Sequence, residues 1–446
     1  MGEFETSSES YVGALDWLFG LRRLEPKRDL RKVVFLLELL GNPQESFKSI
    51  QVTGTNGKGS TTAMITSILG AAGYRVGMFT SPHLTSFTER IVVNGNRISE
   101  GDVIRLCGIL KPLVDRMACE PDVGQPPFFD VVTCMALKYF AEHKADFAVL
   151  EAGMGGRLDA TNVVHSLVSV ITNVSLEHTE VLGGTVLEIA REKSGIVKKG
   201  GVLITATENM AVYELFKEIC HSVGSKIFRV GDDIRYRKFS ASMSGQSFSL
   251  DGLVNDYDEL FIPLIGDHQL KNASSTVGAV EALSFHGIEI KKESIRAGLR
   301  RVIWPGRLEI VQSDPLIVLD CAKDPDASRA LKESLMKDFK YERLIAVVSI
   351  SSDKDIPSMM EQLAQVADYF VITAHRVMGR AADPLVIANE AVRWSRPFEI
   401  AEGVEDAIDR ALTLAHANDL ICVTGSVFLV GEARGLFKPL EKKSFN

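Results

Sequence analysis

Gly54-Thr55-Asn56-Gly57-Lys58-Gly59-Ser60 puts a lysine and a hydroxyl inside a glycine-rich turn. Ser49 to Thr53, just before it, reads as a short strand. After it Ile65, Ile68, Leu69 and Ala72 recur at one-face helical spacing until Gly73 ends the run. A turn at that junction offers unpaired backbone N–H groups and the positive end of a helix dipole, which together favour an anion. Lys58 is then free to reach outer phosphates and Ser60 a magnesium ion. The spacing is shorter than the common G-x-x-x-x-G-K-[ST] loop. Glycines here also serve tight-turn geometry alone, but lysine and serine within the turn favour the nucleotide reading.

In an open parallel sheet, ligands gather where the carboxyl ends of strands meet helix N-termini. The chain repeats that arrangement. Arg75 to Thr80 reads as a strand before Ser81-Pro82-His83, Phe147 to Leu150 before Glu151, and Val168 to Thr172 before Asn173 and Glu177-His178. A helix over Thr185 to Lys193 ends on Arg191-Glu192-Lys193. Singly, each polar residue has an ordinary explanation: His178 as a surface or core imidazole, Glu151 as a helix-cap partner, Ser81 as a turn residue, Lys193 as a solvated cation near a helix end. Jointly they offer a hydroxyl and a carboxylate to a hard magnesium ion that also binds phosphates and keeps waters. Gly153-Met154-Gly155-Gly156 lacks G-x-G-x-x-G spacing, so no dinucleotide fingerprint is read there. Gly266-Asp267-His268-Gln269 with Asn272 opens an alanine-rich helix. Arg307, in Trp304-Pro305-Gly306-Arg307, is either a phosphate clamp or an exposed linker arginine. Beyond it the alternation restarts: Asp320 follows Leu316 to Leu319, Asp353-Lys354-Asp355 follows Leu344 to Ile350, His375-Arg376 follows Tyr369 to Thr373, and Gly425-Ser426 follows Leu420 to Thr424.

These elements imply an α/β protein. A P-loop ATPase domain with a mostly parallel sheet is expected over residues 1–307, with N-terminal helices over Tyr11 to Leu21 and Leu30 to Leu40. A smaller Rossmann-like α/β domain follows over 308–446, and the cleft between the two is the expected reaction site. The length of 446 residues suits two domains. A net charge of -8 leaves no footprint for nucleic acid. Six scattered cysteines without a C-x-x-C pair indicate neither zinc nor disulfides. No segment is apolar enough to span a bilayer, and Glu3 to Ser10 does not resemble a secretory signal. A cytoplasmic protein without a nucleic-acid or membrane partner is expected.

At this point the motifs resemble those of folylpolyglutamate synthase and dihydrofolate synthase, the folate branch of the Mur ligase superfamily. They run through most of the chain: G-T-N-G-K-G-S at Gly54, T-S-P-H-L at Thr80, F-T-E-R-I at Phe87, E-A-G-M-G-G-R-L-D-A-T-N at Glu151, E-H-T-E-V-L-G at Glu177, A-R-E-K-S-G-I at Ala190, H-Q-x-x-N-A at His268, W-P-G-R-L-E at Trp304 and V-T-G-S at Val423. The resemblance implies ATP-dependent joining of L-glutamate to the carboxylate of dihydropteroate or a reduced folate through an acyl phosphate, in a monomer. Gly54 to Ser60, Asn272 near the adenine and Arg307 would hold ATP. Ser81, Glu151 and His178 would bind Mg2+ beside Ser60, and a carbamylated Lys193 would supply a ligand to a second metal. Thr80 to Leu84 with Phe87 to Ile91, and so Pro82, His83 and Arg90, are candidates for the pterin acid. Asp320 and Ser426 match positions associated with glutamate. Lys58, Glu151, His178, Lys193 and Asp320 form the implied catalytic set.

One departure stands out. The family pattern D-G-A-H-N-P is Asp320-Cys321-Ala322-Lys323-Asp324-Pro325 in this chain. Lys323 can pair with a carboxylate as a point charge, while Asp324 can repel one or receive an ammonium. Three readings stay open: a compensated glutamate site, a different amino acid, or a paralogue that binds ATP without ligation, as a sensor or regulator. Another Mur-type ligase with a different acceptor is the enzymatic alternative.

Overall fold

The computed structural model describes residues 10–22, 29–377 and 379–437, so of the acidic, hydroxyl-rich start only Ser10 falls within it. Strands β1 (Lys48–Thr53), β2 (Val76–Phe79), β3 (Ile91–Val93), β4 (Asn96–Arg97), β5 (Phe147–Glu151), β6 (Val168–Ile171), β7 (Val202–Thr205) and β8 (Lys226–Arg229) form one sheet in the order β4-β3-β2-β5-β1-β6-β7-β8. It is parallel from β2 to β8, with β3 and β4 an antiparallel edge.

Helices cover both faces, so β2 and β5 are almost wholly apolar, while β1 alternates Ile50 and Val52 with the buried polar Ser49, Gln51 and Thr53. In β5, Phe147 and Val149 join the core built on helix Lys58–Ala71, whereas Ala148 and Leu150 join the opposite core with helices Glu100–Ala118 and Phe128–Glu142. The chain leaves β1 for β2, skips a position that β5 later fills, and then lays β6 on the other side of β1. β1 is therefore flanked by β5 and β6, and the three carboxyl ends open on one crevice.

Helix Lys58–Ala71 begins at the lysine itself, and Glu151 is the last residue of its strand rather than the first beyond it. The helix expected from Thr185 runs Val186–Ser194, with Thr185 as its N-cap in a reciprocal capping box with Glu188. The N-terminal helices are Tyr11–Gly20 and Arg31–Leu39.

An unanticipated antiparallel sheet, β9 (Arg235–Ser242), β10 (Gly245–Asp251) and β11 (Asp256–Ile262), packs Phe248, Leu250, Tyr257, Leu260 and Ile262 into the first core. Glu281 ties it to helix Asp267–Glu281, which carries Asn272. Its buried carboxylate accepts from the N–H groups of Leu253 (2.7 Å), Val254 (3.1 Å) and Asn255 (3.1 Å) and from the Tyr257 hydroxyl (2.8 Å).

The remaining strands, β12 (Glu309–Ser313), β13 (Leu316–Leu319), β14 (Leu344–Val348), β15 (Tyr369–Ile372), β16 (Phe398–Ile400) and β17 (Leu420–Thr424), make a second sheet in the order β12-β13-β17-β14-β15-β16, parallel except for β12. A charged strap links the lobes: Lys238 Nζ donates to Asp267 (2.7 Å) and Asp338 (3.2 Å), and Lys337 Nζ donates to Asp267 (2.5 Å). All six cysteines are free, and no helix among the described residues is long and apolar enough to cross a membrane.

Replacing Glu281 with alanine strands the buried Tyr257 hydroxyl and three part-buried backbone N–H groups at once and is expected to destabilise the protein by about 3 kcal/mol in urea denaturation. A loss below about 1 kcal/mol would contradict the anchoring role.

Candidate active site

The turn after β1 is held rigidly by the chain that leaves β6. Thr55 N–H donates to Asn173 O (3.0 Å), Asn56 N–H to Asn173 Oδ1 (2.8 Å), and Thr172 Oγ1 to Asn56 O (2.6 Å). Gly57 has φ 82° and lies against the Asn272 side chain, so a Cβ fits neither the backbone nor the space. A Cβ on Gly59 would come within 2.6 Å of the Trp304 ring. Lys58 Nζ folds back onto the carbonyls of Gly54 (2.8 Å) and Thr55 (3.0 Å), and Ser60 is buried. Asn272 Nδ2 donates to Gln269 Oε1 at 3.0 Å, which fixes it against the turn.

Glu151 is only 5 % exposed. Burial raises its pKa, opposed by Lys58, by the Ser81 N–H that donates to Oε2 at 3.1 Å, and by Lys323 and Arg307. Next to it, Arg90 Nε donates to His83 Nδ1 at 2.9 Å. Burial drives His83 down to about 4, helped by the Arg90 charge, so it is a neutral ring whose Nδ1 accepts. Arg90 lies 5.5 Å from the Phe128 ring and 6.0 Å from Phe87, and Phe19 stacks on Phe128 with centroids 5.5 Å apart. This corner has aromatic walls and one buried cation.

Lys193 is not a solvated helix-end cation. It is 0 % exposed, ion-paired to Glu177, and pushed by burial to about 8. Glu177 falls to about 2 despite its burial, under Lys58 and Lys193. His178 lies on the exposed rim at φ 46°, and desolvation lowers it to about 4 against the pull of Glu177 and with the push of Lys354, Lys323 and Lys58.

On the second lobe, Asp320 accepts from Leu308 N–H (2.9 Å) and Ala322 N–H (2.9 Å), and the nearby Arg307 offsets the rise that burial imposes. Asp324 caps helix Pro325–Asp338 through Ala327 N–H (2.8 Å), and the same oxygen accepts from Asn56 Nδ2 at 3.0 Å. Ser426 is buried and caps helix Val427–Leu436 through Phe428 N–H at 3.1 Å.

A cavity of about 1270 Å³ joins these groups. Thr55 to Ser60, Ser81 to His83, Glu151, Asn272, Arg307, Asp320 and Lys323 line it, whereas Gly54, Arg90, His178, Lys193 and Ser426 stand behind its walls or at its edge. The sequence reading passed over Thr172, whose side chain fixes the turn. It also gave no role to Lys354, a cation that bears on His178 and Lys323 and whose position after β14 was its only signal.

A phosphate-loop lobe faced across a cleft by a second α/β lobe is the architecture of a Mur-type ligase. Two family models agree: the Mur ligase middle domain matches residues 129–280, and the Mur ligase glutamate ligase domain matches 306–427. The dihydrofolate synthase/folylpolyglutamate synthase of Bacillus subtilis is 34% identical over 437 residues, covering 96% of this chain and 99% of the relative. That of Mycobacterium tuberculosis is also 34% identical, over 95% of this chain and 92% of its own length. Among solved structures, the M. tuberculosis folylpolyglutamate synthase complexed with ADP superposes with a TM-score of 0.90 at 33% identity, covering 97% of this chain and all of that one. An E. coli structure in complex with DHPP and ADP gives 0.84 at 28% identity, covering 96% and 98%. The chain belongs to the dihydrofolate synthase/folylpolyglutamate synthase family.

His83 has a folded pKa below its unfolded value, so the unfolded chain binds its proton first on acidification. The associated stability is complete above about pH 6.5 and is lost as pH falls toward 4. A His83→Gln variant is expected to lose melting temperature less steeply than wild type across that window. NMR titration of the ring should give a midpoint near 4, and a midpoint near 6.5 would contradict the buried acceptor role.

Proposed function

We propose that this enzyme joins L-glutamate to the carboxylate of dihydropteroate or a reduced folate, using ATP to form an acyl phosphate. One observation carries the reading: the phosphate-loop lysine, a buried carboxylate and a half-buried arginine from the lobe junction open on the same cavity, in a chain of this family. We divide the labour as an ATP-binding part over 1–307 and an amino-acid-binding part over 308–446.

Joining a carboxylate to an amine in water needs an activated leaving group. The carboxylate attacks the γ-phosphorus, ADP departs, and the neutral amine then displaces phosphate from the acyl carbon. Lys58 and Arg307 neutralise the transferring oxygens, with the backbone N–H groups of Gly54 to Ser60 holding the phosphates and Asn272 beside the base. Pro82 and His83 line the cavity and present a neutral imidazole to the pterin acid, with Arg90 and its aromatic neighbours holding that ring from behind.

Among the described residues no three or more His, Cys, Asp or Glu side chains cluster to hold a metal by themselves. Ser60, Ser81 and Glu151 share the cavity wall, and two hydroxyls beside one buried carboxylate fit Mg2+, which takes one or two carboxylates, phosphates and waters. Ser60, Ser81, Glu151 and His178 would hold it, and it would neutralise charge on the phosphates. Lys193, near 8, offers more free amine at neutral pH than an ordinary lysine, and the free amine is the form that adds carbon dioxide. Carbamylation there would supply another oxygen ligand.

Asp324 is occupied as a helix cap and as acceptor from Asn56, which disfavours it as the receiver of an incoming ammonium. The complete set of Lys58, Glu151 and Arg307 favours a working ligase over a nucleotide-binding regulator. Phosphate release with ATP and Mg2+, crossing dihydropteroate and tetrahydrofolate against glutamate, aspartate and no amino acid, tests the assignment. Lys58→Ala and Glu151→Ala should each cut turnover by about 100-fold or more while melting near wild type. Wild-type turnover in either variant refutes its role.

A further inference from the structure

Lys323 stands where the second lobe meets the phosphate loop. Its neighbour Asp324 accepts from Asn56 Nδ2 at 3.0 Å, so residue 323 is anchored one position from a contact with that loop. The side chain is half-buried on the wall of the cavity that also holds Lys58, Glu151 and Arg307. Beyond the burial that lowers its pKa, the charges that weigh most on it are Lys58, Glu177, Asp324 and Lys354. It bears in turn on Glu151, His178 and Lys193. All of these except its own neighbour Asp324 and Lys354 belong to the first lobe.

The positions matched to the amino acid are committed to backbone N–H groups. Asp320 is turned to the N–H groups of Leu308 and Ala322, and Ser426 caps a helix behind the cavity wall. Lys58 and Lys323 reach one polar cavity from opposite lobes with Glu151 and Glu177 bearing on both, and in a partly desolvated site an anion between the two lysines relieves their remaining repulsion. Lys58 meanwhile donates to its own loop's carbonyls, an arrangement that an arriving phosphate can replace.

We infer that Lys323 is a catalytic residue that grips the phosphoryl group in transit, opposite Lys58, rather than a residue that holds the amino acid. The inference rests on the ligase reading above. In the first step the acceptor carboxylate oxygen bonds to the γ-phosphorus as the bond to the β–γ bridging oxygen breaks, and ADP leaves with that electron pair. In the second, the amine nitrogen bonds to the acyl carbon and loses a proton to solvent, and the C–O bond to phosphate breaks with its pair going to phosphate. Lys323 donates hydrogen bonds to non-bridging phosphoryl oxygens throughout and transfers no proton. Because it arrives from the second lobe, phosphoryl transfer itself requires that lobe to be in place.

The test separates the two half-reactions. Lys323→Met, Lys323→Gln and Lys323→Arg are compared with wild type in steady-state turnover, and in positional isotope exchange of bridge-labelled ATP with dihydropteroate and no amino acid. Circular dichroism and binding of a non-hydrolysable ATP analogue check the fold. Methionine and glutamine should lower both exchange and kcat by about 100-fold and leave the KM for glutamate within about twofold, with arginine recovering part of the loss. Wild-type exchange in Lys323→Met, whether with a raised glutamate KM or with unchanged kinetics, overturns the inference while the ligase reading stands. A wild-type enzyme silent with every substrate pair brings down the ligase reading and this inference with it.

Discussion

A carboxylate sunk at the carboxyl edge of a parallel sheet sets the terms for everything around it. Glu151 ends the strand next to the phosphate-loop strand, 5 % exposed, and burial alone would favour its neutral form. Lys58, Lys323 and Arg307 oppose that, and they come from three separate stretches of chain. Their opposition to the burial is complete only when the loop, the linker and the second lobe are assembled together. The three cations that converge on Glu151 suit that part of the cavity to an anion with several oxygens.

The sheet makes this arrangement affordable in conformational terms. Helices cover both faces of β1, β5 and β6, so the strands cannot shift register without exposing apolar side chains. The turn between β1 and its helix is then fixed sideways by Thr172 and Asn173. Its donors are aimed before any ligand arrives, which is the condition under which fixed dipoles stabilise developing charge.

How much of this was legible in the sequence depended on whether the signal was local. The phosphate loop could be read because glycine, lysine and serine between an apolar strand and a helical repeat have few other uses. β13 and β17 begin and end where the apolar runs do. The antiparallel insertion escaped because Arg-Tyr-Arg-Lys-Phe-Ser-Ala-Ser in β9 is largely exposed and shows no core-facing alternation to read. For Lys193 the residues alone left open a solvated cation, because nothing local tells a buried lysine from an exposed one, and its partner Glu177 comes from a different loop. Asp324 is a different case. Aspartate followed by proline is an N-cap signal visible in the sequence, but attention to its charge hid its role as a helix terminus.

The hydrogen bond from Asn56 to Asp324 gives the molecule a thermodynamic property that neither lobe has alone. Asn56 sits inside the loop that faces the nucleotide, and Asp324 begins the first long helix of the opposite lobe. Whatever shifts the energy of that bond on one side shifts it equally on the other, because free-energy coupling between two sites is reciprocal. A nucleotide that altered this bond would thereby tie its own affinity to the geometry between the lobes.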